Sequence, residues 1–198
     1  IKIVYFVHGF RFTLQTNLLK SFFFKLIKNI LSFKNNIIIT INNEDFFYAK
    51  KKLLSKSLTY KIDGVGLDKV RNKLNFSKLK KKPKKIIVIG AYKKNKGYLK
   101  LFNIAKYLKG LQVKIDCYGY GNLEYFQNIK IQNNLNNINL NKFDVNLKNK
   151  IRNYDIMLHL SDREGLPVSV MECLSNGVPV ICKKIRGNKD LIINKFNG

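Results

Sequence analysis

Apolar and polar positions alternate along the chain in two registers. Residues 1–7 (IKIVYFV) form an apolar, β-branched run, the pattern of a strand buried in a parallel sheet. Leu18, Leu19, Phe22, Phe23, Leu26, Ile27, Ile30 and Leu31 then recur at i, i+3, i+4 spacing. With Lys20, Lys25 and Lys28 among the polar positions, this predicts an amphipathic helix. Residues 37–41 (IIITI) read as a second strand. Asn42, Asn43, Glu44 and Asp45 supply cap-like residues for a short helix to about Leu54. A third strand is predicted over 60–62, before a turn at Gly64 and Gly66. After a polar, Lys-rich stretch over 69–85, strands are predicted at 86–89, 113–118, 153–160 and 178–181. Helices are predicted at 98–109, 124–134 and 166–176. Strands alternating with helices imply parallel sheets covered by helices on both faces. The Lys-rich stretch, with Pro83 in KKKPKK, has the composition of an interdomain connector. It divides the chain into domains at 1–78 and 79–198.

Composition changes this picture little. The chain has 198 residues, 45% of them hydrophobic, enough to bury a core. Its formal charge of +26 points first to nucleic acid. The basic set, however, is 33 Lys and only 5 Arg, and Asn (25) and Ile (23) are inflated with it. These residues share A/T-only codons, so much of the charge reads as compositional drift on solvated faces. Arg, the residue suited to reading guanine and forking phosphate, is scarce, and specific nucleic-acid binding is not expected. Cys117, Cys173 and Cys182 are odd in number and lack C-x-x-C spacing, which argues against disulfides and a zinc site. Buried, reduced thiols are expected. No stretch approaches the roughly 18–20 apolar residues of a spanning helix, and the first residues do not read as a signal peptide. The expected location is cytoplasmic. The chain lacks an initial Met, starts on a strand and ends at Phe196-Asn197-Gly198, so it is expected to be a piece of a longer protein, cut at both ends.

Candidate chemistry gathers where predicted strands end. In Arg163-Glu164-Gly165-Leu166-Pro167, a strand gives way to a helix. Gly165 permits close backbone approach, and Pro167 suits a helix's first turn. Free amides at such a point favour phosphate. Glu172 follows Glu164 by eight residues, and a carboxylate there can accept both hydroxyls of a ribose diol. Alone, the pair also fits a helix start and a surface acid. Gly90 ends a strand, and the basic loop after it carries Lys96, within reach of a diphosphate or simply solvated. Gly119 makes another tight turn. His8 closes the first strand, as a structural residue or as a polar group in a cleft.

Taken in order, these signals resemble the family 4 glycosyltransferases of the GT-B type. Glu164 and Glu172 have that family's E-x7-E spacing. EGLP, NGVPVI and Arg186-Gly187-Asn188-Lys189-Asp190 look like the donor-site stretch of capsule and exopolysaccharide members. HGF, ITINNED, GVGLD, GAYKKNKG and YGYGNLE fall in the family's order. Ala91 stands where many relatives place an Arg.

The resemblance implies an α/β protein of the GT-B type. It would have two Rossmann-like parallel-sheet domains, the amino-terminal one incomplete and the donor-binding one nearly complete. It implies a retaining transfer of sugar from a nucleotide-diphosphate-sugar to an acceptor hydroxyl, in cell-surface polysaccharide or lipid-linked glycan synthesis. Glu164, Lys96 and His8 would be catalytic. Glu172 would hold the ribose, and the Gly165 and Leu166 amides would meet phosphate beside the Gly90 and Gly119 turns. No metal or other cofactor would be required. The partners would be a nucleotide-sugar, a glycan or lipid-linked acceptor, and an anionic membrane touched by the 18–31 helix, which otherwise packs on its sheet. A nucleotide-sugar-binding fragment without catalysis is the rival reading.

Overall fold

A computed structural model of the chain describes residues 3–10, 37–52, 58–67 and 82–198, and Leu18, Leu19, Phe22 and Leu26. The four isolated positions are helical, and their side chains are exposed. The other residues of the predicted 18–31 helix, and most of the Lys-rich connector with its 78/79 division, lie outside the described residues.

The chain forms two compact units. The first gathers residues 1–66, 163–167 and 185–191, and the second holds 67–162, 168–184 and 192–198.

Among the described residues of the first unit, three strands, β1 (Val4–Val7), β2 (Ile37–Thr40) and β3 (Leu58–Lys61), pair in parallel in that order. The continuous apolar run of β2 places it in the centre, where Ile38 is buried. β1 is an edge strand among the described residues: Val4 is exposed, and burial is reached only at Val7. The apolar run suggests a buried strand, and of the β1 residues only Val7 is buried. Helix α1 (Asn43–Lys52) covers part of the sheet. Its start is well capped. The Asn42 side chain accepts from the Asp45 amide at 2.8 Å, and Glu44 and Asp45 place negative charge in the first turn. Among the described residues its core gathers Val7, Phe10, Ile38 and Ala49, with Tyr5 and Tyr48 packed against it.

The second unit contains β4 (Lys85–Ile89), β5 (Lys114–Gly119), β6 (Ile138–Lys142), β7 (Ile156–His159) and β8 (Val180–Cys182). All pairs are parallel, in the order β6-β5-β4-β7-β8. Between the strands run α2 (Tyr98–Leu108), α3 (Leu123–Gln132), the short α4 (Leu147–Lys150) and α5 (Val168–Ser175). The Asn122 side chain caps α3 by accepting from the Tyr125 amide at 3.1 Å. The Asp155 carboxylate accepts from the Lys84 and Lys85 amides, both at 2.9 Å, and so pins the start of β4 beside β7. An aromatic layer fills one face of the sheet. Phe126 packs against Tyr98 and Tyr125, each with ring centroids 5.0 Å away. Burial pushes the Tyr92 and Tyr98 phenols far above their ordinary range, so both stay protonated donors. The Tyr92 hydroxyl reaches the Asn141 carbonyl at 2.6 Å, and the Tyr98 hydroxyl donates to the Gly90 carbonyl at 2.6 Å.

β6 was not predicted. Its sequence, INLNK, is polar at alternate positions and lies at the sheet edge, so it carries no apolar run. The predicted 153–160 strand is shorter, because residues Ile151–Asn153 form a 3-10 turn first. Of the three cysteines expected to be buried, Cys117 and Cys173 are, whereas Cys182 is only half-buried at the end of β8. Burial raises the thiol pKa values of all three.

Candidate active site

Strand order locates a crevice in the second unit. From β4 the chain steps outward through β5 to β6, then returns to the other side of β4 for β7 and β8. The carboxyl ends of β4 and β7 therefore diverge at a switch point, the place where open α/β sheets receive ligands. A cavity lies there. Ile89 at the end of β4, Gly90 just after it, His159 at the end of β7 and Ser161 beyond it line it, with Lys96 and Tyr98.

Local structure explains how Lys96 arrives. Gly90 ends β4, and a 3-10 turn (Lys94–Lys96) leads to Gly97, at φ 82°. A side chain is disfavoured at that angle, and a Cβ there would also overlap the Leu160 carbonyl. Gly97 thus lets the basic turn press against the end of β7 and start α2 at once. Lys96 is half-buried, with its side-chain carbons near Gly90. Gly119 closes the neighbouring turn: a Cβ there would overlap the Gly90 carbonyl, so β4 and β5 end in direct backbone contact. The structure therefore brings Gly90, Lys96 and Gly119 together. Glu172 belongs to the same unit, half-buried on α5. Its carbonyl takes the Ser175 hydroxyl at 2.9 Å and the Asn176 amide group at 2.8 Å, which closes the helix end.

Asp162 escapes sequence reasoning. It follows β7 and gathers the Lys183 and Lys100 ammonium groups at 2.5 and 2.9 Å. Those two hydrogen bonds hold its carboxyl below the ordinary range. Nothing in its local sequence marks it, because both lysines come from elsewhere in the chain.

The remaining candidates fall in the first unit. His8 lies just past β1, and Glu164, Gly165 and Leu166 form a turn that precedes α5; the helix begins at Val168, later than predicted. His8 and Gly165 meet: a Cβ on Gly165 would overlap the His8 carbonyl. The His8 ring stacks at a tilt on Phe6, with centroids 4.8 Å apart. Beneath this contact lies a second group that sequence reasoning placed in a motif without a role. Arg186 and Asp45 form an ion pair of 2.8 Å, with side chains only 3% and 2% exposed. Burial raises the Asp45 carboxyl above its ordinary range, although Arg186 pulls it down.

Comparison with known proteins agrees with this architecture. Residues 70–198 match the family described as glycosyl transferases group 1. The chain is 25% identical, over 99% of its length, to the Escherichia coli UDP-Gal:alpha-D-GlcNAc-diphosphoundecaprenol alpha-1,3-galactosyltransferase, and it spans about half (55%) of that relative. Among solved structures it superimposes on Staphylococcus aureus TarM crystallised with UDP and alpha-GlcNAc-glycerol. The TM-score is 0.81 at 18% identity, over all of this chain and 40% of that one. It also superimposes on Anabaena HepE in complex with UDP-glucose, with a TM-score of 0.78 at 19% identity, covering all of this chain and 57% of HepE. These structural likenesses are of fold, and the fold is that of GT-B glycosyltransferases. With well over half its residues matched, the chain belongs to the glycosyl transferases group 1 family.

Proposed function

We propose that this chain carries the donor-binding machinery of a retaining glycosyltransferase. It would move a sugar from a nucleotide-diphosphate-sugar to an acceptor hydroxyl in cell-surface polysaccharide or lipid-linked glycan synthesis. The observation that carries the reading is the Lys96 turn at the β4/β7 switch point, in a chain of this family. During transfer the bond from the sugar C1 to the diphosphate oxygen breaks. The acceptor oxygen bonds C1 on the same face and passes its proton to the departing diphosphate oxygen. Negative charge then grows on the departing diphosphate. Lys96 would offset that charge, which would stabilise the transition state more than the ground state. The Gly165 and Leu166 amides would add to this, so that no metal is needed in this reading. Glu172 would accept the ribose hydroxyls, and Glu164 and His8 would flank the donor sugar. The UDP-Gal in the E. coli relative's name, and the UDP and UDP-glucose bound by the two structural neighbours, make a UDP-sugar the first donor to test. The test is a donor screen that reads released nucleoside diphosphate. Release from no nucleotide-sugar, with acceptor glycans present, would leave at most a binding fragment.

Glu172→Ala should weaken binding of UDP by about 1.5–3 kcal/mol, the range for a hydrogen bond to a charged group. The fold should survive, because Glu172 is only half-buried. Calorimetry that finds equal affinity in a folded variant would remove the ribose role.

A cytoplasmic position against an anionic membrane is the location we propose. No helix among the described residues is long and apolar enough to cross a membrane. Leu18, Leu19 and Phe22 are helical and expose 87%, 79% and 68% of their surface, in a chain of charge +26. Apolar helix positions beside lysines suit an anionic surface carrying a lipid-linked acceptor. The chain should co-sediment with anionic vesicles and not with neutral ones; equal partitioning would argue against membrane contact through charge.

A further inference from the structure

Arg186 and Asp45 lie 141 residues apart in sequence, yet they pair in the buried part of the first unit. Burying two charges costs desolvation that their attraction does little more than offset, and apolar replacements of similar size are often neutral or stabilising. Burial raises the Asp45 carboxyl above its ordinary range, and the guanidinium beside it lowers it. Stability alone therefore does not account for the pair. Its geometry points to another role.

The guanidinium is a planar fork of five donors, and here three separate segments use it. Nη1 meets the Asp45 carboxylate at 2.8 Å, Nη2 donates to the Phe10 carbonyl at 2.6 Å, and Nε donates to the Glu164 carbonyl at 3.3 Å. The second Asp45 oxygen accepts from the Phe10 amide at 3.3 Å and from the Asn42 side chain at 2.7 Å. The Phe10 residue is thus gripped at both its amide and its carbonyl. Above the fork the backbones are in contact: a Cβ on Gly165 would overlap the His8 carbonyl, and one on Gly187 would overlap the Gly165 carbonyl. The segment carrying Arg186 is fastened to the start of α1 twice more. Asp190 accepts from the Asn43 amide at 2.6 Å, and Lys189 pairs with Glu44 at 3.1 Å.

We infer that Arg186, through its buried pair with Asp45, is a positioning residue that holds the His8–Phe10 turn against the Glu164–Gly165 turn. The spacing of His8 and Glu164 would then depend on one guanidinium as well as on the backbone contact between the two turns. The consequence for turnover rests on the transferase reading; the positioning itself does not.

The chain has two histidines, His8 and His159, and His159 lies in the second unit. Their ring NMR signals therefore report the first unit and an internal reference. Two variants separate positioning from charge neutralisation. Arg186→Lys keeps a cation for Asp45 but has no fork to reach Phe10 and Glu164 together. The double variant Arg186→Met with Asp45→Leu removes the buried charges. In both, the melting temperature and the His159 signal should stay near wild type, while the His8 signal moves. Turnover of a UDP-sugar should fall about 100-fold, the size expected of a misplacement near 1 Å. A His8 signal at its wild-type position in folded Arg186→Lys overturns the inference, whether or not turnover changes. If the double variant does not fold, the lysine variant decides alone. If His8 moves but even wild type turns over no donor, the positioning stands and the transferase reading fails.

Discussion

Phe126→Ala should destabilise the second unit by about 3–5 kcal/mol, the range for truncating a fully buried aromatic ring. Phe126 is 1% exposed and touches the Tyr92, Tyr98, Phe102 and Tyr125 rings, with centroids 5.0 to 6.3 Å away. Such a layer is close-packed and cannot shrink onto the vacated volume without moving Tyr98, whose hydroxyl holds the Gly90 carbonyl. The loss should therefore extend to the crevice turn. Hydrogen exchange should accelerate in the peptides of β4, β5 and α2 and remain as in wild type in those of β2 and α1, whose core is a separate cluster. A urea midpoint that falls by less than the equivalent of about 1 kcal/mol, the typical cost of an arbitrary substitution, would show that the aromatic layer is loosely packed.

Lys96→Ala should lower turnover by about 10²–10³-fold, equivalent to about 2.7–4 kcal/mol, the loss on removing one preorganised electrostatic partner of developing charge. Its effect on UDP affinity should be smaller, because a bound nucleotide would share its charge with solvent and with backbone amides, whereas a departing diphosphate would gain charge as the sugar leaves. Thermal stability should change little for a half-buried surface lysine. Initial rates of UDP release at saturating donor, with calorimetric affinity alongside, separate the two effects. Equal losses in rate constant and affinity would make Lys96 an ordinary anion contact. Unchanged turnover would move the site away from the β4/β7 crevice.

Much of this site is legible in the order of residues along the chain. Lys96 stands out because Gly90 and Gly97 bracket it at the end of an apolar strand, and those two glycines are what the local geometry uses. Glu172 and Glu164 carry their spacing in the chain itself. Asp162 cannot be found that way, since one carboxylate after a strand means nothing until Lys100 and Lys183 converge on it. β6 is faint for a different reason: INLNK does alternate apolar and polar positions, but only Ile138 and Leu140 carry the pattern within an Asn-rich stretch.

Apolar runs, helix caps and turn glycines act over a few residues, and these the sequence determined by itself: alternating strands and helices, parallel sheets, and the turns at Gly90, Gly97 and Gly119. The tertiary structure alone decided the strand order that opens the crevice beside β4 and the gathering of His8, Gly165 and Arg186 into one unit. The Arg186–Asp45 pair shows the reason most directly. Its partners are 141 residues apart, and Coulomb attraction across that separation has no local signature. Only the fold removes the water between them, and desolvation is what turns two ordinary surface residue types into a fixed geometric constraint.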